Sequence, residues 1–163
     1  MKIDIYTDGA SRGNPGPGGY GVVMLSSRGH RKEISEGFRL TTNNRMELLS
    51  VIVALEALKQ TEAEVTVFSD SKYVVDAINK GWVYNWQRKG FKDKKNPDLW
   101  RRFLALSKPA RLRFEWVKGH AGHEHNERCD ALAVKAALQK DLPPDVGYET
   151  TVHGGVGGLF GKK

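Results

Sequence analysis

Two acidic residues end predicted β-strands. Residues 2 to 8 alternate apolar with polar side chains, which predicts a strand with one buried face, and Asp8 is its last residue. Asp70 ends a similar segment, residues 64 to 70. If the two strands are parallel neighbours, both carboxylates lie near the same carboxyl edge, where open α/β sheets usually place their sites.

Two further acidic residues lie on the apolar faces of predicted helices. Glu47 shares one stripe of a helix predicted over residues 42 to 58 with apolar side chains, and Asp130 does the same in a helix predicted over residues 126 to 139. A carboxylate in such a stripe points the way the core residues point. We therefore expect both side chains to be turned inward.

Inward carboxylates in this number require a positive partner, because they repel one another and are costly to bury. Oxygen ligands without a set of cysteines favour Mg²⁺ or Mn²⁺, and four negative charges favour more than one ion. The sequence predicts a divalent-metal site formed by Asp8, Glu47, Asp70 and Asp130.

Each of these acids also has a purely structural explanation. The two strand-end acids could begin a turn or cap the following helix. Glu47 is favoured near a helix N-terminus by the helix dipole, and Asp130 could pair with Arg128 or Lys135. Only the joint placement of the four residues favours a metal site.

The elements that must position these residues form one α/β domain over residues 1 to 140. The connections between the first three strands are short enough for an antiparallel meander, whereas a crossover helix before residues 64 to 70 implies parallel pairing. We predict a five-stranded mixed sheet flanked by helices. The strands are predicted at residues 2–8, 20–25, 31–41, 64–70 and 112–117, and the helices at 42–58, 71–79, 97–107 and 126–139.

Two segments are predicted to lack regular structure. Residues 9 to 19 are rich in Gly and Pro, but no GK[ST] follows and the spacing of a nucleotide-binding glycine loop is absent. Residues 141 to 163 are again dominated by Gly and Pro without periodicity, which predicts a flexible tail.

The overall composition limits the class of protein. The chain has 163 residues, enough for one domain with a real core, and a single cysteine, Cys129, which fits a reducing cytosol. The N-terminus opens on a charged, alternating segment, and no apolar run reaches membrane-spanning length. We expect a cytoplasmic protein without a membrane segment, and a monomer by default.

The positive charge is concentrated in one segment. The chain carries a net charge of +7, which indicates a polyanionic partner, and residues 80 to 102 alone contain eight basic and two acidic side chains, a net of +6. Four aromatic residues are interleaved with this run. Of these, Trp86 and Trp100 are expected to pack between helices.

Five motifs together resemble type 1 ribonuclease H, in the family's order and over about 140 residues. They are YTDGASRGNPGPGG (6–19), TTNNRMEL (41–48), SDSKYV (69–74), the basic stretch from Trp82 to Trp100, and WVKGHAGHEHNERCDALA (116–133). The resemblance implies that the partner is an RNA·DNA hybrid and that the RNA strand is hydrolysed, giving a 5′-phosphate and a 3′-hydroxyl. It also implies that the four carboxylates bind two Mg²⁺ ions, with Mn²⁺ as a substitute.

The resemblance assigns roles to further residues. His120 is implied to act as general acid or base, or to assist product departure. Asn14, Asn43 and Asn44 are implied substrate contacts, since an amide can both donate to and accept from the 2′-hydroxyl that marks RNA. Residues 80 to 102 resemble the family's substrate-binding handle, here called the basic handle. Further substrate contacts are expected at Lys72, where such relatives often carry glutamine, and at Trp82, Arg88, Lys89 and Lys92.

Other functions remain as alternatives. Three histidines close to Cys129 suggest a zinc site, although spacings of three, two and four do not match the usual paired ligands. A hybrid-binding module without catalysis would lack a carboxylate, and none of the four is missing. A nuclease or recombinase acting on DNA alone conflicts with the type 1 motifs, and a small-ligand α/β protein does not explain the basic segment.

Overall fold

The computed structural model describes residues 1–58, 62–119 and 123–157, with side chains of the last helix described as far as Thr151. Five strands form one mixed sheet in the order β3-β2-β1-β4-β5. Strands β1, β2 and β3 pair antiparallel, whereas β1–β4 and β4–β5 are parallel, which confirms the predicted sheet. The strands are β1 Lys2–Ser11, β2 Gly16–Ser26, β3 Arg31–Thr41, β4 Glu64–Ser69 and β5 Arg111–Trp116.

Helices cover both faces of this sheet. They are α1 Asn43–Glu56, α2 Lys72–Asn79, α3 Trp82–Arg88, α4 Pro97–Ala105, α5 Glu124–Ala137 and α6 Val146–Gly157. The main core lies between the sheet and helices α1, α2 and α4. Helix α5 packs on β1, β2 and β3, where Tyr6, Val23 and Cys129 are buried. In the described ranges no helix is both long and apolar enough to cross a membrane.

The glycine-rich segment is more regular than its composition predicts. Strand β1 continues to Ser11 and β2 already begins at Gly16, so the prediction of irregular structure over residues 9 to 19 is wrong except at the turn. The glycines allow close packing here instead of breaking the strands. A Cβ on Gly21 would lie 2.3 Å from the Cys129 carbonyl oxygen, and one on Gly19 would lie 2.6 Å from that of Ala133. Helix α5 therefore lies directly on the β2 backbone.

The segment after Lys140 is structured as far as Gly157, where the sequence analysis expected none. The Arg39 amide donates to the Pro143 carbonyl at 2.9 Å, and α6 follows. Asp145 is buried, and its Oδ2 accepts from the Thr41 hydroxyl at 2.6 Å and from Arg45 Nε at 2.8 Å. The composition of this segment could not predict the contacts of Asp145, because their partners are about a hundred residues away in the chain.

The basic handle is a helical pair. Helix α3, which was not predicted, and the start of α4 are joined by a loop in which Phe91, Asp93 and Asn96 have positive φ. Trp100 is fully buried and meets Trp86 edge to face at a ring-centroid distance of 5.9 Å. The prediction that both indoles pack between helices is confirmed, so the handle is held by aromatic packing at its base.

Candidate active site

Asp8 and Asp70 are brought together by the parallel pairing of β1 and β4. Thr7 is the register partner of Ser69, so each acid follows a paired position at the same edge of the sheet. The sequence predicted that Asp8 ends β1. This is wrong, because β1 continues along β2 to Ser11. Asp8 is the first residue of β1 beyond the pairing with β4, and its side chain lines a small cavity there.

Glu47 reaches the same edge from the first turns of α1. Thr42 caps this helix, its hydroxyl accepting from the Arg45 amide. The helix backbone lies against β1, since a Cβ on Gly9 would be 2.4 Å from the Glu47 amide nitrogen. Glu47 is only 5 % exposed, which confirms that this carboxylate points inward.

The three carboxylates form one cluster. One oxygen from each of Asp8, Glu47 and Asp70 lies within 4.8 Å of the other two. Glu47 Oε1 and Asp70 Oδ1 are buried and have no hydrogen-bond partner among the residues that the structure describes. Buried polar atoms are normally satisfied, so two unpaired oxygens at one point fit a bound cation. The all-oxygen donor set fits Mg²⁺ or Mn²⁺.

Burial and mutual repulsion shift the protonation of this cluster. Burial, and then the charges of Asp70 and Asp130, raise the pKa of Asp8 to about 8. Burial, and then Asp8 and Asp70, raise the pKa of Glu47 well above its usual range. A cation would favour the ionised forms, so metal binding and loss of these protons are coupled.

Asp130 lies beside the cluster of Asp8, Glu47 and Asp70 but is not one of its three members. It lies on α5, is partly buried, and is close enough to Asp8 to raise its pKa. The alternative pairing with Arg128 is not present, because Arg128 binds both carboxylate oxygens of Glu33, at 2.8 and 2.9 Å. Asp130 is therefore available to the site from the side of α5.

The structural explanations for the strand-end acids also differ from what is seen. Ser71, and not Asp70, caps α2, with its hydroxyl accepting from the Val74 amide at 3.2 Å. Asp8 Oδ1 accepts from the Gly9 amide at 2.9 Å, yet both residues lie within β1 and not in a turn. Neither acid therefore begins a turn or caps a helix.

Asn126 is a site residue that the sequence analysis missed. It lines a small cavity together with Thr7, Asp8 and Asp70. The available signal was its position four residues before Asp130 in one helix, a spacing that places two side chains on the same face.

The predicted substrate-contacting asparagines lie near the start of α1. Asn14 Oδ1 accepts a hydrogen bond from the backbone N–H of Asn43 at 3.0 Å, which connects the β1–β2 turn to this helix. Asn44 is exposed and lines two grooves of about 480 and 300 Å³, both of which also reach Lys94 and Lys95 of the basic handle.

The other predicted contacts are distributed around these grooves. Trp82 lines the smaller groove, whereas Arg88, Lys89 and Lys92 are exposed on the handle and line neither. Lys72 is exposed at the start of α2, beside Asp70 in the sequence. Asn44 and Trp82 thus line one groove, whereas Arg88, Lys89 and Lys92 are exposed outside it.

The histidine-rich segment gives little support to a zinc site. His120 lies outside the described residues. His123 and His125 pack against the Tyr6 ring, at centroid distances of 5.1 and 4.9 Å. Cys129 is buried, donates to the Tyr6 carbonyl at 3.1 Å, and burial raises the pKa of its thiol to about 12. A cysteine binds zinc as a thiolate, and the buried position of Cys129 disfavours that form.

Comparison with known proteins agrees with this geometry. The family model for RNase H matches residues 1–138. The chain is 60% identical over 150 residues to a ribonuclease H of Desulforamulus reducens, covering 89% of this chain and 93% of that protein. It is 54% identical over 153 residues to one of Rippkaea orientalis, covering 91% and 93%.

Two solved structures have the same fold. LC9-RNase H1, a type 1 RNase H with the type 2 active-site motif, superposes with a TM-score of 0.72 at 38% identity, covering 83% of this chain and 71% of that one. LC11-RNase H1 in complex with RNA/DNA hybrid superposes with a TM-score of 0.62 at 33% identity, covering 83% and 96%. The family match, the two relatives and these structures agree over most of the chain, and the chain therefore belongs to the ribonuclease H family.

Proposed function

We propose that this chain cuts the RNA strand of RNA·DNA hybrids with two divalent cations held by Asp8, Glu47, Asp70 and Asp130. The observation that carries the proposal is the cluster of three carboxylates within 4.8 Å, in which two buried oxygens have no partner among the described residues. Membership of the ribonuclease H family and the hybrid bound by LC11-RNase H1 support the substrate.

Mg²⁺ is the proposed cofactor, with Mn²⁺ as a substitute, because hard oxygen ligands suit both ions. When bound, the ions supply activation of water and stabilisation of the charge that develops on the leaving 3′ oxygen. Asp8, Glu47 and Asp70 would hold the ions, and Asp130 would add a fourth carboxylate from α5. The products are a 5′-phosphate and a 3′-hydroxyl.

His120 is proposed to move the proton that hydrolysis requires. The residue before it in the sequence is Gly119, where a Cβ would lie 2.7 Å from Asp70 Oδ2. An imidazole is the usual group for proton transfer near neutral pH. Replacement of His120 by alanine should lower turnover by at most roughly two to four orders of magnitude, the usual contribution of one proton-transfer group. Metal binding should stay intact.

Substrate recognition is proposed to use two regions. Asn14, Asn43 and Asn44 present amides that can bind a 2′-hydroxyl of the RNA strand. The basic handle is proposed to bind phosphates with exposed cations, chiefly Arg88, Lys89 and Lys92. We also propose that the enzyme is a cytoplasmic monomer.

The test is a comparison of labelled substrates under matched conditions. Hybrid, duplex DNA, duplex RNA and single strands are incubated with the full chain in Mg²⁺, in Mn²⁺ or in EDTA. The proposal expects cleavage of the RNA strand of the hybrid alone, and only with a divalent ion. Cleavage of duplex DNA, or activity in EDTA, would overturn it.

A further inference from the structure

Trp116 is a large aromatic residue that contributes little to the core. It ends the edge strand β5 and is 44 % exposed. Its register partner is Ser69, the residue before Asp70, so the indole stands next to the carboxylate cluster.

The indole N–H is bonded to the backbone of a proposed metal ligand. Trp116 Nε1 donates to the Asp70 carbonyl oxygen at 3.0 Å. The next residue, Val117, donates its amide to the Ser69 carbonyl at 2.9 Å. Three residues beyond the indole, Gly119 lies against the Asp70 carboxylate. The exit of β5 is therefore fixed to Asp70 by successive contacts, of which the indole makes the first.

The face of the same ring holds a cation. Lys72 Nζ lies 4.8 Å from the Trp116 ring centroid, within the range of a cation–π contact. Lys72 forms no ion pair with any acid of the described ranges, so the indole is its contact. The Lys72 ammonium is thus held on the ring of a residue that is bonded to the Asp70 backbone, and it has no carboxylate partner in the described ranges.

We infer that Trp116 is a positioning residue, which sets the Asp70 backbone through its N–H and the Lys72 ammonium through its ring face. The kinetic consequences rest on the proposed function. Lys72 then binds a substrate phosphate, and Trp116 acts on catalysis through Asp70 and on affinity through Lys72. The indole N–H of Trp116 therefore affects kcat, and its ring face affects affinity.

Three variants separate these effects. Trp116→Phe keeps a ring and removes the N–H, so kcat should fall about three- to tenfold while the salt dependence of hybrid binding stays unchanged. Lys72→Met should raise KM more than it lowers kcat and should lower the slope of log K against log salt by about 0.7 to 0.9. Trp116→Leu should show both losses. Arg113→Met, on the opposite face of β5, removes one charge as the control and should change neither.

A double variant tests the coupling directly. Binding of a labelled hybrid is measured in Ca²⁺ for the parent, Lys72→Met, Trp116→Leu and the combination. If the indole positions the ammonium, Lys72→Met has a smaller effect on affinity in the Trp116→Leu background than alone. Fully additive losses would overturn the inference, as would a Trp116→Phe variant with parental kcat.

A structural measurement keeps the inference testable apart from the activity. In ¹⁵N spectra of the full chain, the Trp116 indole signal, assigned by its loss in Trp116→Phe, should exchange with solvent more slowly than that of exposed Trp82. Lys72→Met should shift the Trp116 signal and not that of Trp82. Exchange as fast as at Trp82, with no shift, would contradict the inference whether or not the protein cuts hybrid.

Discussion

Gly9 and Glu47 are in direct backbone contact. A Cβ on Gly9 would lie 2.4 Å from the Glu47 amide nitrogen and 2.5 Å from the Met46 carbonyl carbon. Real Cβ atoms do not approach backbone so closely, so only glycine allows α1 to rest on β1 here. Because Asp8 precedes Gly9, this contact sets the separation of the Asp8 and Glu47 carboxylates.

Gly9→Ala should therefore impair stability and activity together. The added methyl group must push α1 away from β1, which should cost about 1 to 3 kcal/mol of unfolding free energy. Displacement of the Glu47 carboxylate from the cluster should lower kcat at least about tenfold. Each 1.4 kcal/mol of lost transition-state stabilisation lowers the rate by a factor of ten. Urea unfolding and Mg²⁺-dependent hybrid cleavage measure the two effects.

Gly29→Ala is the matched control. Its Cβ would meet nothing within 4 Å, although its φ of +88° makes alanine strained. This variant should lose some stability and keep its kcat. Parental kcat in Gly9→Ala would show that the close contact does not govern the carboxylate spacing.

The metal-free protein should lose stability as pH rises. The folded pKa of Asp8 is about 8, against an ordinary value of 3.8, so the folded state retains a proton that the unfolded chain loses. This contribution to stability is fully present below about pH 4 and is lost as pH rises through about 8. Glu47, whose pKa is also raised, acts in the same direction.

Asp8→Asn should remove part of this loss. In EDTA at pH 7 the variant should be more stable than the parent by at least about 1 kcal/mol, since one pKa unit corresponds to about 1.4 kcal/mol. Added Mg²⁺ should stabilise the parent more than the variant. Thermal unfolding from pH 4 to 9 measures this, and a variant less stable than the metal-free parent at pH 7 would contradict the repulsion described here.

Asp145 should be a major source of stability. It binds buried Arg45, whose guanidinium also binds Asp98 at 2.8 Å. Asp145→Ala leaves a buried charge with one partner fewer and should cost about 3 kcal/mol. Arg39→Gln breaks the exposed pair between β3 and Glu149 of α6 and should cost much less than Asp145→Ala. Equal losses in urea unfolding would refute the distinction.

The sequence predicted most of the site because the carboxylates interrupt regular patterns. Asp8 and Asp70 end the alternating patterns of residues 2–8 and 64–70, and Glu47 lies among apolar residues of a helix that is buried on most sides. Strand pairing and the burial of this helix are enough to bring the three acids together. The parallel pairing of β1 with β4 followed from the intervening helix. These features depend on local sequence and on few topological choices.

Other features depend on contacts that no local pattern records. The glycines of β2 resemble a loop in composition, yet they serve the packing of α5. The burial of Asp145 depends on Arg45 and Thr41, far away in the chain. Helix α3 was missed because it is seven residues long and mostly exposed, with Val83 as its buried residue.

The basic handle should contribute affinity and not chemistry. Neutralising five exposed cations to glutamine should weaken hybrid binding at low salt, with a deficit that shrinks as salt rises. If about three of them touch phosphates, the slope of log K against log salt should flatten by about 2 to 3. The changed residues are Arg88, Lys89, Lys92, Lys94 and Lys95.

A matched control removes the same charge elsewhere. Neutralising five exposed basic residues outside the handle should move the slope much less. Binding is measured in Ca²⁺ across a fourfold range of salt, and equal slopes for handle and control variants would remove the handle from this account. The control residues are Arg28, Lys32, Arg111, Arg113 and Lys140.

The most direct test of the central claim is the cleavage rate of Asp70→Asn on an RNA·DNA hybrid in Mg²⁺. The substitution keeps the size of the side chain and removes one charge from the carboxylate cluster. Turnover should fall by several orders of magnitude, because metal-centred stabilisation amounts to several kcal/mol, while hybrid binding in Ca²⁺ persists. A purified, folded variant that cuts the hybrid at nearly the parental rate would contradict the assignment of Asp8, Glu47 and Asp70 as the metal site.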